Sequence, residues 1–245
     1  MSPDSTGPEL AGLASTAVPL DAVVLVPVGS IEQHGPHLPL DTDTAIATAV
    51  ASAVAERMEA HVLVAPPLSY GSSGEHQSFP GTSSIGNDVL RATIIELVRS
   101  MSTWAARIVF VNAHGGNIAA LAAAIVQMGA EQHDVAWVPC VSDEVDLHAG
   151  LMETSLMLHL RPESVDMRRA QAGDMRSLTE ILPQLKSGGV AAVSPNGVLG
   201  DPRKASAVEG QRTLKKMIDD VAKRIRSAVL DTRGMLVAAS ADVPR

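Results

Sequence analysis

Aromatic side chains are nearly missing from this 245-residue chain: Tyr70, Phe79, Phe110, Trp104 and Trp137 make up 2% of it. A core built mainly of Ala, Val, Leu, Ile and Met gains burial by close packing of small side chains, which suits helices laid on a parallel sheet. The scarcity also leaves little material for an aromatic cage around a ligand. Cysteine is rarer still. The single Cys140 excludes an intramolecular disulfide and any Cys-rich zinc module, and it suits a reducing cytosol. Positive charge is short as well: 19 Lys and Arg stand against 27 Asp and Glu, a formal charge of −8, with no basic run. That balance argues against nucleic acid or an anionic membrane as partner. The opening residues, MSPDSTGPEL, lack the basic and apolar regions of a secretion signal, and no stretch reaches the ~18 uninterrupted apolar residues of a membrane span. The expectation is a cytoplasmic protein.

What is present alternates. Residues 1–20 are rich in Pro, Ser, Thr and Gly and read as a flexible arm, residues 21–233 as one domain, and residues 234–245 as a flexible tail. Val23–Val28 is apolar, short and β-branched, the pattern of a strand covered on both faces. Helical stretches are expected at 45–58, 88–105, 118–132, 150–160 and 205–229, and further strands at 62–65, 108–111 and 135–138, while 188–202 reads as a Gly/Pro-rich loop. Strands separated by helices of 12 or more residues imply parallel pairing with right-handed crossovers. The expected fold is α/β, a three-layer α/β/α sandwich on a mostly parallel sheet.

Residues able to do chemistry gather after strands, where open α/β sheets place their ligand crevice. The loop from Gly29 to Asp43 holds Glu32, His34, His37, Asp41 and Asp43. Carboxylate oxygen with imidazole nitrogen suits Zn(II), Fe(II) or Mn(II). In extended chain Glu32 and His34 project to the same side, so both can face one metal cluster. Asp41 and Asp43 compete as ligands; Asp43 is preferred for its place at the loop-to-helix junction, where its bland alternative is a helix cap. His37 is read as a structural residue of the loop. His114, followed by Gly115 and Gly116, sits at a strand end where backbone can approach closely, between Asn112 and Asn117. His148 and Glu153 flank a helix start, and a carboxylate in so apolar a turn calls for a metal or cation partner. His61, His76 and His133 have no evident ligand company. The segments around Ser72 and Phe79 are read as a substrate-side loop. No phosphate loop and no nucleophile elbow occur.

The segments GSIEQHGPHLPLDTDT, VNAHGGN and HAGLMETSLMLHL resemble the creatininase family of metal-dependent amidohydrolases, over about residues 23–201. The resemblance implies a two-metal centre held by Glu32, His34, Asp43 as the bridge and His114, with His148 as the proton carrier. Creatininase proper has a ligand Glu where this chain has Gly116, and Glu153 is expected to supply the missing carboxylate. SYGSSGEHQSFPGT and GGVAAVSPNGVLGDP look closest to the family branch that trims the modified C-terminus of a ribosomally made precursor peptide in redox-cofactor biosynthesis, releasing a Val-Tyr-derived unit. That branch implies a peptidase with two divalent ions per subunit, zinc, iron or manganese, and a homo-oligomer, since members often form hexamers. Two rival readings are a small-molecule amidohydrolase opening a cyclic amide or formamide, and a noncatalytic metal-dependent scaffold that presents a peptide.

Overall fold

The computed structural model describes residues 9–58, 61–141 and 146–238. Four parallel strands, β1 (Val23–Val28), β2 (Val62–Val64), β3 (Arg107–Asn112) and β4 (Val135–Pro139), form a sheet in the order β2-β1-β3-β4. The register pairs Val24 with Leu63 on one side and with Ile108 on the other. The strands' period of two sorts the core. Leu25, Val109, Val111, Ala136 and Val138 point to one face and meet α1 (Thr42–Arg57), α4 (Leu151–Leu160) and α6 (Ala207–Ser227). Val24, Val26, Ile108, Phe110 and Trp137 point to the other, against α2 (Gly86–Met101) and α3 (Ile118–Ala130). Both faces are therefore buried, and the expected three-layer sandwich is what forms.

Gly210 sets the close approach of α6 to α4. A Cβ there would overlap the carbonyl group of Ser155, so a glycine in α6 is what lets α6 lie on α4. Ser206 caps α6, its hydroxyl accepting from the Glu209 N–H at 3.2 Å.

Three stretches differ from the sequence expectation. Residues 188–202, expected as a loop, are helical up to Val193, as the end of α5 (Leu178–Val193). This helix opens on a reciprocal capping box between Ser177 and Glu180 and bends at Gly189, whose φ is 66°. Pro183 and the two glycines obscure its periodicity, and the buried Ile181 and Val190 anchor it. Residues 234–238, expected as tail, join the body: β5 (Val229–Leu230) and β6 (Leu236–Val237) pair antiparallel, and Leu236 is fully buried. The cause is Trp137. Its buried indole N–H must find an acceptor, and Arg233 O supplies one at 3.0 Å. Residues 9–20, expected as a flexible arm, make short 3₁₀ turns at Leu10–Gly12 and Ser15–Ala17, and Leu10 packs against the α2/α3 side of the core. The remainder of the expected arm and tail, 1–8 and 239–245, lies outside the described residues.

Candidate metal centre

All the clusters singled out in the sequence emerge from the C-terminal ends of the parallel strands. Glu32 and His34 follow β1, Asp43 lies in the first turn of α1, His114 follows β3, and His148 and Glu153 flank the start of α4. All six are buried. Glu32 Oε2 stands 3.2 Å from His114 Nε2, and His114 Nδ1 stands 3.4 Å from Asp43 Oδ2. Asp43 also accepts from His34 Nε2 at 3.1 Å and from the Ser30 hydroxyl at 2.5 Å. It makes no cap: the residue at the cap position is Asp41, which is half exposed and bound to Arg161 at 2.7 Å. Asp41 is thus turned away from the centre. Glu153 Oε2 lies 3.9 Å from His34 Nε2 and accepts the Ala149 N–H at 2.6 Å, and the His34 and His148 rings are 4.4 Å apart.

Neighbouring groups hold these side chains in place. His34 Nδ1–H donates to the Glu32 carbonyl at 3.1 Å, which aims Nε2 at Asp43. Asn117 spends its amide on Gly29 O at 2.9 Å and accepts from the Ser72 N–H at 2.8 Å, tying three strand-end loops together. Asn112 binds the His114 carbonyl at 2.7 Å. Both asparagines therefore serve the scaffold. His37 does too, through Thr154 Oγ1 at 2.8 Å.

Burial and charge act against each other here. Burial, then the nearby Asp43 charge, pushes Glu32 up to about 7. Burial raises Glu153 likewise to about 7. Burial would lower His34, but the Asp43 carboxylate outweighs it and lifts the imidazole to about 10, while Asp43 itself is held far below the usual carboxylate range by His34 and His114. His148 is kept neutral by burial and by the His34 charge.

The donor set fits a metal. Both carboxylate oxygens of Glu32 are buried without a hydrogen-bond partner, a costly condition for a group that a cation would satisfy. Among the described residues, Glu32–Asp43–His114 and His34–His148–Glu153 each converge closely enough to share an ion. So does Glu32–His76–His148, and this trio contains a residue that the sequence left aside. His76 is buried, its Nε2 3.3 Å from Glu32 Oε1. Its signal lay in the EHQSF segment, where Glu75 and His76 end a strand-following loop. Glu75 Oε1 reaches within 3.6 Å of His114 Nε2. A side chain at Gly116 would collide with Glu75, His114 and the Ser72 carbonyl, so the place of the absent carboxylate is already filled from the neighbouring loop.

The creatininase family model, described as creatinine amidohydrolase, matches residues 5–225. This chain belongs to the creatininase family. Among curated relatives, the mycofactocin precursor peptide peptidase of Mycobacterium ulcerans is 54% identical over 87% of this chain and 88% of its own. That of Mycolicibacterium smegmatis is 51% identical over the same shares. A crystal structure of creatinine amidohydrolase superposes with a TM-score of 0.76 at 27% identity, covering 91% of this chain and 98% of that one. Solved creatininases include a Zn-Zn form and a Mn form. As a creatininase-family member the chain is a hydrolase, and its buried His, Asp and Glu groups stand where the fold brings the strand ends together.

Proposed function

We propose that this creatininase-family chain is a two-metal peptidase that releases the modified C-terminal Val-Tyr dipeptide from a mycofactocin precursor peptide. The observation that carries the metal chemistry is the Glu32 carboxylate, buried with both oxygens unpartnered between His114 and His76. The 54% identity to a peptidase of that name supports the substrate. Glu32, Asp43 and His114 would hold one ion, and His34, Asp43 and Glu153 the other, with Asp43 as the bridge. Zinc, iron and manganese all accept this oxygen and nitrogen set. Bound there, divalent ions lower the pKa of water towards ~7 and polarise the scissile carbonyl.

The chain's own part is positioning and proton transfer. His148 is neutral, and its Nδ1 faces Glu32 Oε1 at 3.7 Å. It takes the proton of the attacking water and delivers it to the departing amine nitrogen. A cleft of about 470 Å³ opens beside Gln33 and Gly35, walled by Leu40, Phe79 and Pro80 with Arg168 at its rim, and gives a peptide room to approach. No helix among the described residues is long and apolar enough to cross a membrane. We assign the chain to the cytoplasm, as a homo-oligomer of the hexameric kind.

Metal content on anaerobically purified protein, scored with cleavage of a C-terminally Val-Tyr peptide, tests the reading. The wild type should carry about two ions per chain, and His34→Ala and His114→Ala should lose metal and activity together. Metal-free wild type with unaffected variants would sink it.

A further inference from the structure

Gln33 lies between Glu32 and His34, and its buried amide meets three neighbours. Its Nε2 is 2.8 Å from His76 Nδ1, 3.0 Å from His148 Nε2 and 3.0 Å from Gly197 O, while its Oε1 accepts the Gly35 N–H at 2.8 Å. The amide orientation is decided by the two glycines. Reversing it would set NH₂ against the Gly35 N–H and oxygen against the Gly197 carbonyl. Gly197, with φ of 80°, has no Cβ to intrude on this amide.

An amide nitrogen has two hydrogens for these three neighbours. His148 Nε2 is also 2.8 Å from the Gln33 main-chain oxygen, which can only accept, so that nitrogen carries a proton and cannot accept from the amide. The two amide hydrogens therefore go to Gly197 O and His76 Nδ1. A ring whose Nδ1 accepts this hydrogen is not the doubly protonated imidazolium, so it is neutral and has one proton to place. Since Nδ1 accepts, the proton sits on Nε2, 3.3 Å from Glu32 Oε1.

A metal binds through a lone pair, and this Nε2 has none to offer. We propose that Gln33 keeps His76 out of the metal set by locking its proton on Nε2, so that an N–H rather than a lone pair faces Glu32 Oε1 and His76 acts as a positioning residue beside that carboxylate. Glu32–His76–His148 then holds no ion, although its distances would allow one. His148, donating from Nε2 to the Gln33 main-chain oxygen, turns its Nδ1 towards Glu32 Oε1 at 3.7 Å, on the side of the centre. The inference deepens the two-metal reading and rests on it for its functional consequence only.

Long-range ¹H–¹⁵N NMR of the zinc-loaded full chain, labelled at histidine, reads which ring nitrogen is protonated. Spectra of wild type, Gln33→Met and His76→Gln would be taken beside zinc content. The expected wild-type spectrum shows His76 protonated at Nε2, with His76→Gln keeping about two zinc ions per chain. Gln33→Met should lose the single His76 tautomer while His148, held by a main-chain oxygen, keeps its proton on Nε2. An Nδ1-protonated His76 in wild type, or loss of a zinc ion in His76→Gln, would overturn the proposal, and both are read even if Gln33→Met fails to fold. No substrate enters these measurements. The expected tautomer in a chain that cleaves no peptide would refute the proposed reaction and leave this inference standing.

Discussion

Removing the imidazole of His148 separates two roles that its position allows. The ring lies in metal-capable trios, yet it is kept neutral and its Nε2 is committed to the Gln33 carbonyl. As proton carrier, His148→Ala should lose about 10²- to 10⁴-fold in kcat while retaining its metal, as read by single-turnover kinetics beside metal analysis. Loss of metal would make it a ligand. Glu153 invites the complementary test. Its carboxylate is raised to about 7 by burial and lies 3.9 Å from His34, so Glu153→Ala should drop metal content from about two ions to about one. Near-full occupancy would shift the role to Glu75, which fills the space beside Gly116. The sequence made most of these residues legible because they sit close together between a strand and a helix. His76 escaped because its partners, Glu32, Gln33 and His148, come from two other loops, and no local spacing announces a contact made only by folding.

The strands and their helices were legible for a different reason: a β-branched run buried on both faces cannot be hidden by tertiary context. β1, Val23–Val28, matches its expected bounds, and the helices end within a few residues of where their apolar periodicity stops. α5 was obscured because Pro183 and the Gly188–Gly189 pair speak for a loop locally, whereas the Ser177–Glu180 capping box and the burial of Ile181 favour a helix. Gly210 carries a prediction of the same scale. With no space for a Cβ between α6 and the Ser155 carbonyl, Gly210→Ala must push two helices apart and should cost about 1–3 kcal/mol, despite alanine's better helix propensity. Urea unfolding would show this as a lowered midpoint at unchanged slope. A stabilised variant would mean that the α4–α6 contact yields without cost.

At the scale of the molecule, the buried centre ties stability to metal and to pH. Glu32 and Glu153 titrate at about 7 in the fold, above their unfolded values, so their ionisation penalises the metal-free protein progressively as pH rises towards 7. His34, raised to about 10, stabilises fully below its unfolded value of 6.5, and that contribution is lost as pH rises through 10. The metal-free fold thus weakens from both causes between pH 5 and pH 10. Metal binding runs the other way, because a ligand must shed its proton first. Calorimetric titration with zinc in buffers of different ionisation heat should register proton release that is greater at pH 6 than at pH 8, with the Glu32 and Glu153 share vanishing above 7. Loading to a thousandfold over Kd adds about 4 kcal/mol to stability. At roughly 2–4 °C per kcal/mol for a domain of this size, that raises Tm by roughly 8–16 °C. The gap between loaded and chelated protein should widen from pH 6 to pH 8, since protonated ligands no longer oppose the ion. A gap that stays constant with pH, with no proton released, would mean that the metal binds somewhere other than this cluster of carboxylates and imidazoles.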